Sequence, residues 1–202
     1  MKLFIATRNK GKLREIEDLL MGLDVQIFSY DDFPDLSETL EDCDSFRENA
    51  MKKGREAALA TGILSLADDS GLMVDALGGA PGVHSARYAG KQGDHAANNS
   101  KLLDEMRTIP CGRRTAKFVC FMALVSPDGR TWESEGICEG IIARDFAGSG
   151  GFGFDPLFYL PEFGKTMAEL DLRVKNSISH RGRALQQIRA ILIEILSEKG
   201  NG

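Results

Sequence analysis

Two carboxylates stand side by side in the run ILSLADDSGL, residues 63–72. Asp68 and Asp69 close a short apolar stretch that reads as a buried strand. They repel one another, so packing alone gives no reason to place both there. Open α/β sheets put their ligands outside the carboxyl ends of strands. Hard oxygen donors without a His or Cys partner suit Mg2+, which takes one or two carboxylates and completes its shell with substrate phosphate. An acidic loop upstream, YDDFPDLSETLEDCD, supplies Asp31, Asp32, Asp35, Glu38, Glu41, Asp42 and Asp44 as further donors. Glu48 is set aside, because Ser45 and Glu48 in SFRE form a capping-box pattern. The pair is therefore expected to hold Mg2+, and the Mg2+ a polyphosphate.

Two helix starts carry the complementary charge. A helix N-terminus bears about half a positive charge, so acidic side chains normally collect there. Here TRNKGK puts Arg8, Lys10 and Lys12 at the start of one helix, and SHRGR puts His180, Arg181 and Arg183 at the start of another. With phosphate bound, such cations and the exposed N–H groups act together. The chain has no GxxxxGK[ST] P-loop. Gly148, Gly150 and Gly153 match GxGxxG, but FDPLFY follows instead of the helix a dinucleotide fold requires. Neither GxSxG nor a recognisable Cys–His pair is present. A water attacking phosphorus needs only a carboxylate to take its proton, with metal and cations to stabilise charge.

The elements that must position these groups follow from periodicity. KLFIA reads as a first strand, and KLREIEDLLMGL as a helix with Leu13, Ile16, Leu19 and Leu20 on one face and a stop at Gly22. VQIFS is a second strand, and the capping box opens a helix to about Thr61. ILSLAD is a third strand with GLMVDAL as a separate element paired to it. Residues 94–107 read as helical. Two β-prone runs flank SPDGR, a hairpin signal, and a final helix starts near Ser179. This order gives an α/β protein with a mixed, twisted sheet.

Bulk properties exclude several classes. The chain has 202 residues, 43% hydrophobic and 27% charged, which fits an ordinary globular protein. A net charge of −5 argues against nucleic acid polymers as partners. No apolar run approaches the roughly 18 residues that would span a bilayer, and MKLFIATRNKGK does not read as a signal peptide. Cys43, Cys111, Cys120 and Cys138 lie far apart and are expected to be free thiols in a reducing cytoplasm.

TRNKGK, SFRENA, ADDSGL, GGAPGVHSARYAG, GGFGFDP and SHRGRAL, in that order, resemble the inosine triphosphate pyrophosphatase family over almost the full length. The resemblance implies Mg2+-dependent hydrolysis of ITP, dITP and XTP to monophosphate and pyrophosphate. It also implies one domain over residues 1–202, an elongated sheet with flanking helices in two lobes around a central nucleotide cleft, and a cytoplasmic homodimer. Thr7, Asn9 and Lys12 match the first phosphate-binding motif, which also takes in Arg8, Lys10 and Gly11. Asp69 matches the general base and a metal-associated acid, with Asp68 counted beside it and Ser70 next to the substrate. Glu41 falls where the family has a metal-binding acid, and Lys53 where it has a phosphate-region lysine. Phe152, Gly153, Phe154, Asp155, Lys175, His180 and Arg181 match base-binding positions. Arg8 stands where Gly is common, and Phe154 where Tyr or Trp is frequent. Phe152 or Phe154 would stack on the base, with core packing an equal reading for Phe154. Two other functions are consistent with the same architecture: a house-cleaning pyrophosphatase for modified pyrimidine nucleotides, and a nucleotide sensor that binds without hydrolysis.

Overall fold

The computed structural model describes residues 1–200, with side chains through residue 198. Seven strands form one open, mixed sheet in the order β2-β1-β3-β4-β5-β6-β7. They are β1 (Lys2–Ile5), β2 (Gln26–Phe28), β3 (Leu64–Val74), β4 (Thr115–Val125), β5 (Thr131–Ile142), β6 (Phe158–Leu160) and β7 (Lys165–Thr166). The helices are α1 (Lys10–Leu20), α2 (Phe46–Thr61), α3 (His95–Glu105), α4 (Leu172–Ile178) and α5 (His180–Gly200). β1 lies parallel to both β2 and β3, while β5, β6 and β7 run antiparallel. A turn at Ser126–Arg130, with Gly129 at φ +92°, joins β4 to β5 as the SPDGR signal implied.

Contacts divide the chain into two compact units. The first comprises Met1–Asp69, Cys120–Gly136 and the chain from Arg181 onward; the second comprises Ser70–Val119 and Ile137–His180. Side chains alternate across a strand, and the first unit is built on that alternation. On one face Leu3, Ile5, Leu66, Cys120, Met122 and Leu124 pack with Ile16 and Leu20 of α1 and with Ala184, Leu185, Ile188 and Leu192 of α5. On the other face Phe4, Ala6 and Ala67 pack with Ala57 of α2, and Ala123 and Val125 pack with Ala50, Met51 and Ala58 of the same helix. Gly54 permits this approach, because a Cβ there would stand 2.7 Å from Val125 Cγ2. In the second unit Leu72, Val74, Leu102, Met106, Phe118, Ile142, Phe154, Leu157 and Phe158 form the core.

Two features differ from the sequence expectation, and a third agrees with it. β3 is one strand of 11 residues, not two elements broken at DDSG. Leu66 and Ala67 anchor its first half in one core and Leu72 and Val74 its second half in another, which holds the segment between them extended. The aspartates therefore lie in mid-strand. β1, however, pairs with β3 only through Leu66, so both aspartates project past the carboxyl end of their parallel neighbour. α4 is a seven-residue helix that periodicity over so short a span did not reveal. It is capped by Asp171, whose side chain accepts from Val174 N–H. The Gly-rich run leads through turns into β6 and not into a helix, so the rejection of a dinucleotide fold stands.

Candidate active site

Adjacent residues on a strand point to opposite faces, and that fact separates the tasks of Asp68 and Asp69. Asp68 shares the face of Leu66 and meets α1 and α5. Lys12 Nζ lies 2.8 Å from its Oδ2, and the Arg181 guanidinium 3.4 Å from the same oxygen. Arg181 also donates to Glu15 of α1 at 2.5 Å. Burial pushes the Asp68 carboxyl up, but Lys12, Arg181 and Lys53 outweigh it and hold the group far below the usual carboxylate range. Arg181 is likewise kept charged, since Glu15 and Asp68 overcome its burial. The misplaced cations of both helix starts thus find an internal anion: Lys12 and Arg181 converge on one carboxylate.

Asp69 shares the face of Ala67 and meets α2. Asn49 Nδ2 donates to its Oδ2 at 2.9 Å. Burial pushes the Asp69 carboxyl up to about 6; the Glu41 charge adds to this, while Lys12, Lys53 and the Asn49 hydrogen bond oppose it. A carboxylate tuned to that value is ionised at neutral pH yet basic enough to accept a proton. One aspartate is a counter-ion to two cations, and its neighbour is a carboxyl raised by burial.

α2 also organises the acidic loop. Asn49, Lys52, Lys53 and Glu56 fall at i, i+3, i+4 and i+7, which is one helical stripe. Asn49 Oδ1 accepts from Cys43 N–H at 3.0 Å, and Lys52 Nζ reaches Leu40 O at 3.0 Å and Asp42 at 2.6 Å. Lys53 Nζ bonds Glu41 at 2.6 Å and the Asp68 carbonyl at 2.8 Å, and Thr39 Oγ1 donates to Glu56 at 2.6 Å. Burial works against the Lys53 charge and Glu41, Asp68 and Asp69 more than restore it; Glu41 in turn is lowered by Lys53 against its own burial. Asn49 went unnoticed in the sequence because asparagine in SFRENA carries no motif signal of its own. The polar stripe at helical spacing was the available clue.

In the TRNKGK turn, Thr7 Oγ1 accepts from Asn9 N–H, and Asn9 Oδ1 caps α1 by accepting from Gly11 and Lys12 N–H at 2.9 and 3.1 Å. Arg8 lies over the Tyr30 ring, 4.5 Å from its centroid, and donates to Leu36 O. Lys10 is exposed. Glu48 bonds its cap Ser45, as the capping box required.

The second unit gathers the remaining residues. Lys175 of α4 bonds Asp155 Oδ2 at 2.6 Å, the same oxygen accepts from Phe152 N–H at 2.8 Å, and Lys175 Nζ sits 4.8 Å from the Phe152 ring centroid. Phe152 is half-buried and presents a ring beside a cation. Phe154 is buried in the core, edge-on to Tyr88. His180 is stacked on Phe118, 4.7 Å between centroids at 15°. Gly153 occupies the left-handed region at φ +63°, and Ser70 is half-buried on β3. Arg181, grouped with these residues in the sequence, belongs to the first unit.

The donor set fits Mg2+. Asp69 and Glu41 are oxygen donors whose charges are felt by one another. Among the described residues no cluster of three or more His, Cys, Asp or Glu could hold an ion alone. All four cysteines are free.

Comparison with known proteins follows from this geometry. A model of the Ham1 family matches residues 3–191. A dITP/XTP pyrophosphatase from Desulforamulus reducens is 54% identical over 192 residues, 95% of this chain and 96% of that protein. One from Geobacter sulfurreducens is 53% identical over 188 residues, 93% and 94% of the two chains. Among solved structures, a HAM1 protein from Coxiella burnetii superposes with a TM-score of 0.87 at 40% identity, covering 96% of this chain and 99% of its own. A nucleoside-triphosphatase/dITP/XTP pyrophosphatase from Mycobacterium abscessus gives 0.76 at 46% identity, with 93% and 98% covered.

Proposed function

The chain belongs to the Ham1 family, and from that premise we propose that it hydrolyses deaminated purine nucleoside triphosphates (ITP, dITP and XTP) to the monophosphate and pyrophosphate. The observation that carries this reading is the division of the aspartates, which leaves a base of about pH 6 at Asp69 within the field of Lys12 and Lys53. Asp69 takes a proton from water as the water oxygen bonds to the α-phosphorus. The bond from that phosphorus to the bridging oxygen breaks, and pyrophosphate leaves with the electron pair. Lys12 and Lys53 stabilise the charge that builds on the phosphate oxygens. Asp68 holds Lys12 and Arg181 in place and keeps them charged. Asp69 and Glu41 are the residues to hold Mg2+, which supplies charge neutralisation on the polyphosphate when bound.

The base end falls to the second unit. Hypoxanthine and xanthine carry an oxygen acceptor at purine position 6, where adenine carries an amino donor. Phe152 offers a stacking face, worth roughly 1–3 kcal/mol and indifferent to the base. Lys175, held beside that ring by Asp155, offers N–H donors that pair with an oxygen and confront an amino group. Sites built on such buried polar groups discriminate by about 10⁴ to 10⁵. A cytoplasmic homodimer, as in the resembling family, completes the proposal. Pyrophosphate release measured across ITP, dITP, XTP, GTP, ATP and modified pyrimidine nucleotides tests it. Preference for the deaminated purines is the expected result, and release of orthophosphate or a pyrimidine preference overturns it.

A further inference from the structure

Two residues of α3 touch the segment that carries Phe152. His95 and Asn99 are four residues apart and so share a helical face. The His95 ring lies 6.4 Å from the Phe152 ring, tilted by 46°. Asn99 Nδ2 donates to the Gly153 carbonyl at 2.8 Å. Asn99 is 95% buried by its 5% exposure, and its Oδ1 is buried without a hydrogen-bond partner in the structure.

An unsatisfied buried acceptor costs stability, and an apolar side chain of the same shape would not incur it. The amide therefore exists for its donor. Only Nδ2 can serve a carbonyl, so the bond to Gly153 also fixes which way the amide faces. Gly153 is the residue between the two aromatics, in the left-handed region at φ +63°. Asp155 ties the same turn from the other side through Phe152 N–H.

We propose that Asn99 is a positioning residue for base recognition, one that spends stability to hold the Phe152–Gly153 turn, whose Phe152 N–H fixes the Asp155 carboxylate and through it Lys175, the group that tells an oxygen from an amino group. This rests on the reading of Phe152 and Lys175 as the base site. Asn99 acts through the turn and not through the phosphate groups.

Asn99→Leu keeps the shape and removes the donor; Asn99→Asp keeps the shape and replaces the donor by an acceptor facing the carbonyl. Each variant is assayed with ITP and ATP, with inorganic tripolyphosphate as competitor, and by thermal melting. For both variants KM for ITP is expected to rise about tenfold, the scale of one lost positional hydrogen bond, with kcat changed less than about threefold on that same scale. The ITP-to-ATP ratio of kcat/KM falls by a similar factor, inhibition by tripolyphosphate is unchanged, and Asn99→Leu melts no lower than wild type. A purely structural role would lower Tm and active fraction equally for every substrate. An unchanged ITP-to-ATP ratio in folded Asn99→Leu or Asn99→Asp overturns the assignment. Wild-type protein that fails to prefer ITP over ATP instead defeats the base-site reading on which it rests.

Discussion

At the scale of single residues, the two aspartates make opposite predictions. Asp69→Asn removes the base: pyrophosphate release should fall by about 10³-fold, within the range general bases contribute, while equilibrium titration still detects nucleotide binding. The folded-state value of about 6 exceeds the unfolded value near 3.9. The folded chain therefore binds this proton more tightly, and the stability from Asp69 is present below about pH 4 and lost as pH rises to about 6. Asp69→Asn should accordingly melt higher than wild type at pH 7. Activity has the reverse dependence, falling at low pH as the base protonates, and Mg2+ held beside Asp69 moves that fall below the metal-free value of about 6. Asp68 is the mirror case, lowered by Lys12 and Arg181. Asp68→Asn removes the carboxylate that Lys12 and the buried Arg181 share, leaving Arg181 with Glu15 alone, and should cost on the order of 3 kcal/mol, the low end for a broken buried pair, read as a lower denaturant midpoint.

At the scale of elements, the turn through Gly151 decides whether Asp155 can reach its partners. Gly151 sits at φ +71°, and a Cβ there would fall 2.0 Å from Asp155 Oδ2. Gly151→Ala should displace the carboxylate from Phe152 N–H and Lys175, raising KM for ITP at least tenfold by the hydrogen-bond scale, with a smaller effect on kcat; steady-state kinetics with ITP checks it. Much of this architecture was legible beforehand. The first strands, the capping box and the hairpin follow from period and composition, whereas Lys53, Phe152, Asp155 and Lys175 were singled out by the resemblance to a family. What escaped was long-range. DDSG looked like a break because its residues favour turns, and only the two cores at its flanks keep it extended. Asn49 and Asn99 drew no notice because an asparagine on a helix gains meaning only from what lies opposite it.

At the scale of the whole molecule, the first unit carries Lys12, Lys53, Glu41 and Asp69, proposed for the phosphates, and the second carries Phe152, Asp155 and Lys175, proposed for the base. β3 passes from one to the other at Asp69 and Ser70. With no three-acid cluster among the described residues to hold an ion by itself, Mg2+ alone should shift Tm by less than about 1 °C. Mg2+ with a non-hydrolysable ITP analogue should raise it by several degrees, because a ligand stabilises in proportion to its binding free energy. Differential scanning fluorimetry with each component separately and together checks the order. No described helix is long and apolar enough to cross a membrane.

Because strand geometry assigns successive acids to different helices, sliding β3 by one position against its neighbours would exchange them. The proton acceptor would then face Lys12 and Arg181, and the strongly ionised partner would be driven against Asn49 without its cations. Mispaired assemblies are thereby penalised by charge as well as by displaced apolar groups, so the two acids also proofread the threading of the sheet.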